Sequence, residues 1–259
     1  METSGITETF SGIVETTTVK KIRKLLNGTS KRAQFSFIFG QTGRGKTFAA
    51  REWLTRNDGG YIRVQTGDTL NRLRRQVSYR LFNHDHAGNR EIIEYLARRP
   101  GYVLIVDEAA LLLHDGAWAT RSKNINFFRD LFDGVNDNGG SCGVCFIFTD
   151  CSLSMFEGGS KAAFFGQFLG RLDNHLNIPE RISLPYELKP VLLAYGLNPE
   201  DSRLMRAAEA IANGPGKMRT LYKYLALAKE FNVKKGEKID AQMLLEIQRS
   251  YTSGIYKDE

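Results

Sequence analysis

Residues Gly40-Gln41-Thr42-Gly43-Arg44-Gly45-Lys46-Thr47 follow the pattern G-x-x-x-x-G-K-[ST] in full. Such a loop is a phosphate cradle. Its glycines let the backbone fold tightly and aim successive N–H groups at anionic oxygens. A helix opening at Lys46 adds the positive end of its dipole. In that chemistry Lys46 reaches the β- and γ-phosphates, and the Thr47 hydroxyl sits on Mg²⁺. Gly40, Gln41, Thr42, Gly43, Arg44, Gly45, Lys46, Thr47 and Phe48 are therefore the expected nucleotide contacts. A second pattern is Tyr102-Val103-Leu104-Ile105-Val106-Asp107-Glu108, an apolar run ending in two carboxylates. A charge at the end of a buried strand is costly without a partner, and Mg²⁺ is a suitable one. Asp107 is expected to hold the metal, and Glu108 to polarise an attacking water. The expected cofactors are ATP and Mg²⁺. No base-reading Asn-Lys-x-Asp string occurs, and nucleotide kinases usually lack the second carboxylate. These features favour hydrolysis coupled to motion over transfer to a metabolite.

Both motifs need strands that end where helices begin. The sequence predicts strands at 34–39, 61–64, 102–106, 144–149 and 181–184, each short and apolar as in sheets covered on both faces. Helices are expected from Lys46 to about Arg56 and over 69–82, 90–98, 123–136 and 161–167. Alternating strands and helices imply a parallel sheet of five strands with flanking helices. The strand ending at Thr149 should lie between the two motif strands, where a polar group can touch the γ-phosphate or the water. Beyond Pro185 only helical periodicity is found, at 189–195, 199–212, 218–231 and 240–250. Asn198 or Pro199 and Asp240 read as helix starts. The expected organisation is an α/β core over 1–186 and a small helical lid over 187–259. An arginine just before the fifth strand, Arg171 or Arg181, can reach a neighbouring subunit's γ-phosphate as a finger. Arg219, opening a lid helix after Gly216, could reach back to the same nucleotide.

Composition sets the remaining bounds. The 259 residues are 42% hydrophobic and 25% charged, which is globular. No apolar run is long enough to span a membrane, and Met1 to Phe10 has no signal pattern, so a cytoplasmic location is expected. Cys142 and Cys145 form a C-x-x-C without a second ligand pair, and Cys151 stands near them. Buried reduced thiols are expected rather than a metal site. The formal charge of +7 suits a nucleic-acid partner without proving one.

Taken together, these residues make the chain resemble the AAA+ P-loop NTPases. The resemblance places Thr149 in the first sensor position, Arg171 as arginine finger and Gly216-x-x-Arg219 as second sensor. Within that superfamily the chain looks like the transposition regulators that include phage Mu B and TnsC. The points of similarity are the preamble from Phe10 to Leu26, the small size and the run Gly216 to Ala228. The resemblance implies an ATP-dependent homo-oligomer, a helical filament or ring. It would coat double-stranded DNA without sequence preference and present it to a transposase. No obvious N-terminal helix-turn-helix of the Mu B type is read in these residues, so channel-facing loops are expected to contact DNA.

Those loops would be Gln65 to Arg75, with Thr66, Thr69, Arg72, Arg74 and Arg75 on phosphates. A second segment is the loop expected over 114–123, with Arg121 and Lys123. Thr69 is also a plausible N-cap, and Trp118 either stacks on a base or anchors its loop. The arginines could equally form the wet face of an amphipathic helix. Two other functions fit the same motifs: a helicase-loader or initiator-like ATPase, and a nucleotide-dependent scaffold without DNA.

Overall fold

The computed structural model describes residues 14–114, 118–150, 166, 169–235 and 239–252. They divide into two compact units.

The α/β unit comprises residues 21–42 and 46–179. Its strands are β1 (Phe35–Gly40), β2 (Gly59–Arg63), β3 (Val103–Asp107), β4 (Gly143–Thr149) and β5 (Leu172–Asn177). All pairs are parallel, in the order β2-β3-β4-β1-β5. As expected, β4 lies between the two motif strands, and its Thr149 is level with Gly40 at the end of β1. The helices are α1 (Thr17–Arg32), whose first residues fall outside this unit, α2 (Lys46–Leu54), α3 (Leu70–Phe82), α4 (Asn89–Ala97), α5 (Leu111–His114) and α6 (Trp118–Asp137).

The core forms because β1 and β4 carry phenylalanine at alternate positions. Phe35, Phe37, Phe146 and Phe148 are all buried. Phe37 packs on Phe146 and Phe148 with ring centroids 5.7 and 5.1 Å apart. Phe128 of α6 meets Phe146 edge-on at 5.6 Å. Alternation sends these rings to one face of the sheet, where truncating one such ring costs about 3–5 kcal/mol.

The fifth strand corrects the sequence expectation of 181–184. The strand is Leu172–Asn177, and 184–188 is a single π-helical turn with Pro185 in its opening. Among the described residues Leu172–Asn177 pairs with β1 alone, and it alternates half-buried with exposed residues, so it carries no apolar run. A local bond anchors it: the Phe35 N–H donates to Asp173 Oδ2 at 2.8 Å. α6 is a second correction. It begins at Trp118, so Arg121 and Lys123 stand on a helix rather than a loop. The helix expected over 161–167 falls almost wholly outside the described residues.

The helical unit comprises residues 1–20, 43–45 and 180–259. Its helices are α7 (Lys189–Ala194), α8 (Ser202–Asn213), α9 (Lys217–Lys235) and α10 (Ala241–Thr252). Leu204, Ala208 and Ile211 of α8 recur at helical spacing and pack with Leu221, Leu225, Leu244 and Val14. Asp201 caps α8 by accepting from the N–H groups of Arg203 and Leu204. Asp240 caps α10 by accepting from Met243 N–H at 2.9 Å.

Candidate nucleotide site

β1 delivers the phosphate loop, and α2 begins at Lys46 as the motif requires. Gly43 and Gly45 have φ of +74° and +80°, which side-chain-bearing residues rarely adopt. Gly43 also has no room for a Cβ, which would lie 2.2 Å from the Gly216 carbonyl oxygen. Gly43 and Gly216 both belong to the helical unit. Lys46 is buried, and its Nζ donates to the carbonyls of Gly40 and Gln41 at 2.7 and 2.9 Å. Thr42 and Phe48 are exposed, Phe48 at 57%.

Arg44 is buried too. Its Nη2 is 3.4 Å from the Arg181 carbonyl, while Nε and Nη1 have no hydrogen-bond partner among the described residues. Burial lowers its pKa, and Glu187 opposes that shift. Glu187 in turn accepts from the Thr18 N–H at 2.8 Å and the Thr18 hydroxyl at 2.9 Å.

Asp107, at the end of β3, is 1% exposed. Its Oδ2 accepts from the Thr47 hydroxyl at 2.7 Å and the Tyr61 hydroxyl at 2.6 Å, and Oδ1 accepts from the Glu108 N–H at 2.8 Å. The two motifs thus meet through Thr47 and Asp107. Glu108 follows with φ +54°, and Asp150 after β4 has φ +55°. Two non-glycine residues in the left-handed region at neighbouring strand ends mark a strained rim. It lies at the carboxyl end of the sheet, where α/β proteins place ligands. Glu108 Oε1 is 3.3 Å from Arg63 Nη2.

Among the described residues no group of three or more His, Cys, Asp or Glu could hold a metal alone. The residues present nonetheless fit Mg²⁺, which binds through one carboxylate or hydroxyl plus phosphate oxygens. Thr47 and Asp107 supply that pair.

Three residues of this site escaped the sequence reading: Tyr61, Arg63 and Arg51. Arg51 lies one turn beyond Thr47 on α2, with its guanidinium 4.4 Å from the Tyr61 ring centroid. Burial and the Asp107 hydrogen bond push the Tyr61 phenol up to about 12. The available signal was a tyrosine two residues before a strand end, but its use depends on β2 pairing with β3.

The other expected contacts are distributed as follows. Arg171 directly precedes β5, and Asp133 of α6 holds it, with Nε at 2.6 and 2.9 Å and Nη2 at 2.6 Å from the carboxylate. That ion pair raises its pKa. Arg181 is exposed, and so is Arg219 in the first turn of α9. Thr69 does cap α3, accepting from the Arg72 N–H. Arg72 pairs with Asp68 at 3.0 Å and with the Gln65 side chain. Arg74 bonds Asn71 at 3.1 Å, and Arg75 lies 3.8 Å from Asp85. Thr66 and Lys123 are exposed. The side chains of Arg121 and Trp118 lie outside the described residues. Cys142 and Cys145 are buried free thiols, and Cys151 is outside the description. No described helix is long and apolar enough to cross a membrane.

No curated protein sequence matches the chain. The structure of the ORC2 protein of Aeropyrum pernix with ADPNP and ADP is similar at a TM-score of 0.62 and 12% identity. That match covers 88% of this chain and 65% of the other. The ADP form of the same protein gives 0.61 and 14%, over 91% and 68%. A Walker-type ATPase of Pyrococcus abyssi gives 0.58 and 15%, over 91% and 72%. The chain therefore spans roughly two thirds of the length of these proteins. The matching family model is described as the AAA domain. The chain has the P-loop fold of the AAA+ proteins, and its residues 29–155 match the AAA domain family.

Proposed function

We propose that the chain binds and hydrolyses ATP with Mg²⁺, and that this cycle drives its assembly on double-stranded DNA. The observation that carries the ATPase part is the joining of the phosphate loop to the acidic strand end through Thr47 and Asp107, with Glu108 next in sequence. The similar ORC2 structures were solved with adenine nucleotides, which supports ATP as the ligand. In this reading the loop's N–H groups and Lys46 bind the phosphates. Thr47 and Asp107 would hold Mg²⁺, which neutralises phosphate charge when bound. Glu108 orients the attacking water and draws off its proton. Thr149, level with Gly40 on the neighbouring strand, lies at the same rim.

The DNA part rests on the net charge of +7 and on exposed cations such as Lys123 and Arg75. Backbone contacts of that kind give no base code. The proposal extends to a homo-oligomer, a filament or ring, that presents DNA to a transposase.

The test is binding of a fluorescent random-sequence duplex to the native chain and Lys46→Ala, with and without ATP·Mg²⁺. Native binding that requires ATP and is lost in Lys46→Ala supports the whole reading. Equal binding without nucleotide removes the coupling. ATP turnover with no DNA binding under any condition leaves the ATPase and directs attention to a protein partner.

A further inference from the structure

Asp107 is the one carboxylate of the site with almost no exposure, and three donors surround it. None of the three is cationic, and among the described residues no Lys or Arg ion-pairs with it. The negative charge is thus held in place without being cancelled, which suits a carboxylate meant for a metal ion. Two donors, from Thr47 and the Glu108 backbone, belong to the motifs. The third is the hydroxyl of Tyr61, on a different strand.

We propose that Tyr61 is a positioning residue that sets the Mg²⁺ affinity of the nucleotide site by fixing the Asp107 carboxylate. This rests on the ATP·Mg²⁺ reading above. Thr47 and the Glu108 N–H each hold one oxygen of the carboxylate through a single donor, and a single donor per oxygen still lets the group rock about its Cβ–Cγ bond. Tyr61 places a second donor on Oδ2, so that oxygen receives both hydroxyls while Oδ1 receives the backbone N–H. The group is then held at both ends, and the position it offers a cation is fixed before the cation arrives. Outer donors of this kind tune metal sites strongly, and their loss typically costs 10- to 100-fold in metal affinity.

The tyrosine is itself held. Its ring lies under the Arg51 guanidinium at 4.4 Å, and Arg51 is four residues beyond Thr47 on α2. One helix therefore supplies both the threonine of the metal site and the clamp on the tyrosine. In register, β2 sets Tyr61 beside Ile105 and Arg63 beside Asp107, so the phenol reaches forward along the strand to the carboxylate.

The measurement is equilibrium binding of a fluorescent non-hydrolysable ATP analogue to the native chain, Tyr61→Phe and Arg51→Gln. Each is titrated with Mg²⁺ and also measured in EDTA. Tyr61→Phe keeps the ring and the stacking and removes only the donor. Its half-saturating Mg²⁺ is expected to rise about tenfold, with affinity in EDTA unchanged. Arg51→Gln should move the same way by a smaller factor, and it carries the test alone if Tyr61→Phe does not fold. A merely structural tyrosine would alter affinity in EDTA and in Mg²⁺ alike. Variants that bind the analogue with native Mg²⁺ dependence overturn the inference and leave the ATP reading intact. A native chain that binds no analogue in either condition overturns the ATP reading, and the inference with it.

Discussion

The hydroxyl of Thr47 donates to Asp107 Oδ2 across 2.7 Å, although 60 residues separate the two in the chain. The bond joins the start of α2 to the end of β3, and it makes the charge of Asp107 separable from its role as acceptor. Asp107→Asn retains an acceptor oxygen for Thr47 and Tyr61 but turns an amide donor towards the Glu108 N–H. It should cost about 1 kcal/mol of stability and abolish the Mg²⁺-dependent part of nucleotide affinity. Asp107→Ala strands all three donors, the Thr47 and Tyr61 hydroxyls and the Glu108 N–H, and should cost about 2 kcal/mol or more. Denaturation midpoints together with nucleotide binding check the pair. Equal destabilisation by both substitutions would contradict the separation.

Arg171 is expected to be structural. Its guanidinium forks onto Asp133 with three contacts of 2.6–2.9 Å, a geometry that orients it within its own chain. Releasing it to a neighbouring subunit would mean giving up those bonds. On the proposed reading of an oligomeric ATPase, Arg171→Ala should therefore lower stability by about 1 kcal/mol and leave ATP turnover within about twofold. Arg181, exposed, is the better candidate for a finger, and Arg181→Ala should lower turnover at least about tenfold. The reverse order of effects in a turnover assay at assembling concentrations would return the role to Arg171.

What the sequence made legible follows from where the determinants lie. The loop 40–47, the pair Asp107–Glu108 and the Thr69 cap are written in consecutive residues, so motif and local physics suffice. β5 was misplaced because an edge strand paired on one side needs no apolar run. Asp173, Asn174 and Asn177 hide it, while the apolar Ile182 and Leu184 imitate a strand. The start of α6 was placed too late because glycine at 116 reads as a loop, yet nothing from Trp118 onward opposes a helix. Tyr61, Arg51 and the Arg171–Asp133 pair were illegible for a different reason. Each acts through a neighbour that only the strand order or helix packing brings close.

The buried thiols make stability fall at alkaline pH. Burial pushes Cys142 up to about 12 from an ordinary 9.0, and raises Cys145 as well. Between these limits the unfolded chain has lost thiol protons that the folded chain keeps. The unfolded state then binds fewer protons, so stability is complete below about pH 9 and declines as pH rises. Each thiol contributes a slope of about 1.4 kcal/mol per pH unit. Burial of Tyr61, Tyr102 and Tyr222 adds to the trend at higher pH. Urea midpoints at pH 7.5, 9 and 10 should fall in that order, and a flat series would refute the account. In a Cys151→Ser background no thiol should react with a disulfide reagent in the native chain, and two should react in urea.

The arginines of α3 separate DNA contact from loop architecture. Asp68 has a nearly inaccessible side chain, and it accepts from the Gln65 N–H at 2.8 Å while pairing with Arg72. Arg72→Ala removes that cation and should destabilise the turn over 65–68 as well as weaken any DNA contact. Arg75 is exposed, and its interaction with Asp85 spans 3.8 Å, so it contributes little to the fold. On the DNA-binding reading, Arg75→Ala should weaken duplex binding equally across sequences and reduce the logarithmic salt slope by about 1, with an unchanged melting temperature. The check is affinity at several salt concentrations beside a thermal melt for each variant. If Arg75→Ala leaves the slope unchanged while Lys123→Ala reduces it, the DNA-facing surface is α6 rather than α3. If neither substitution changes it, the exposed charge of both helices is solvated surface, and a protein partner becomes the better reading of the same ATPase.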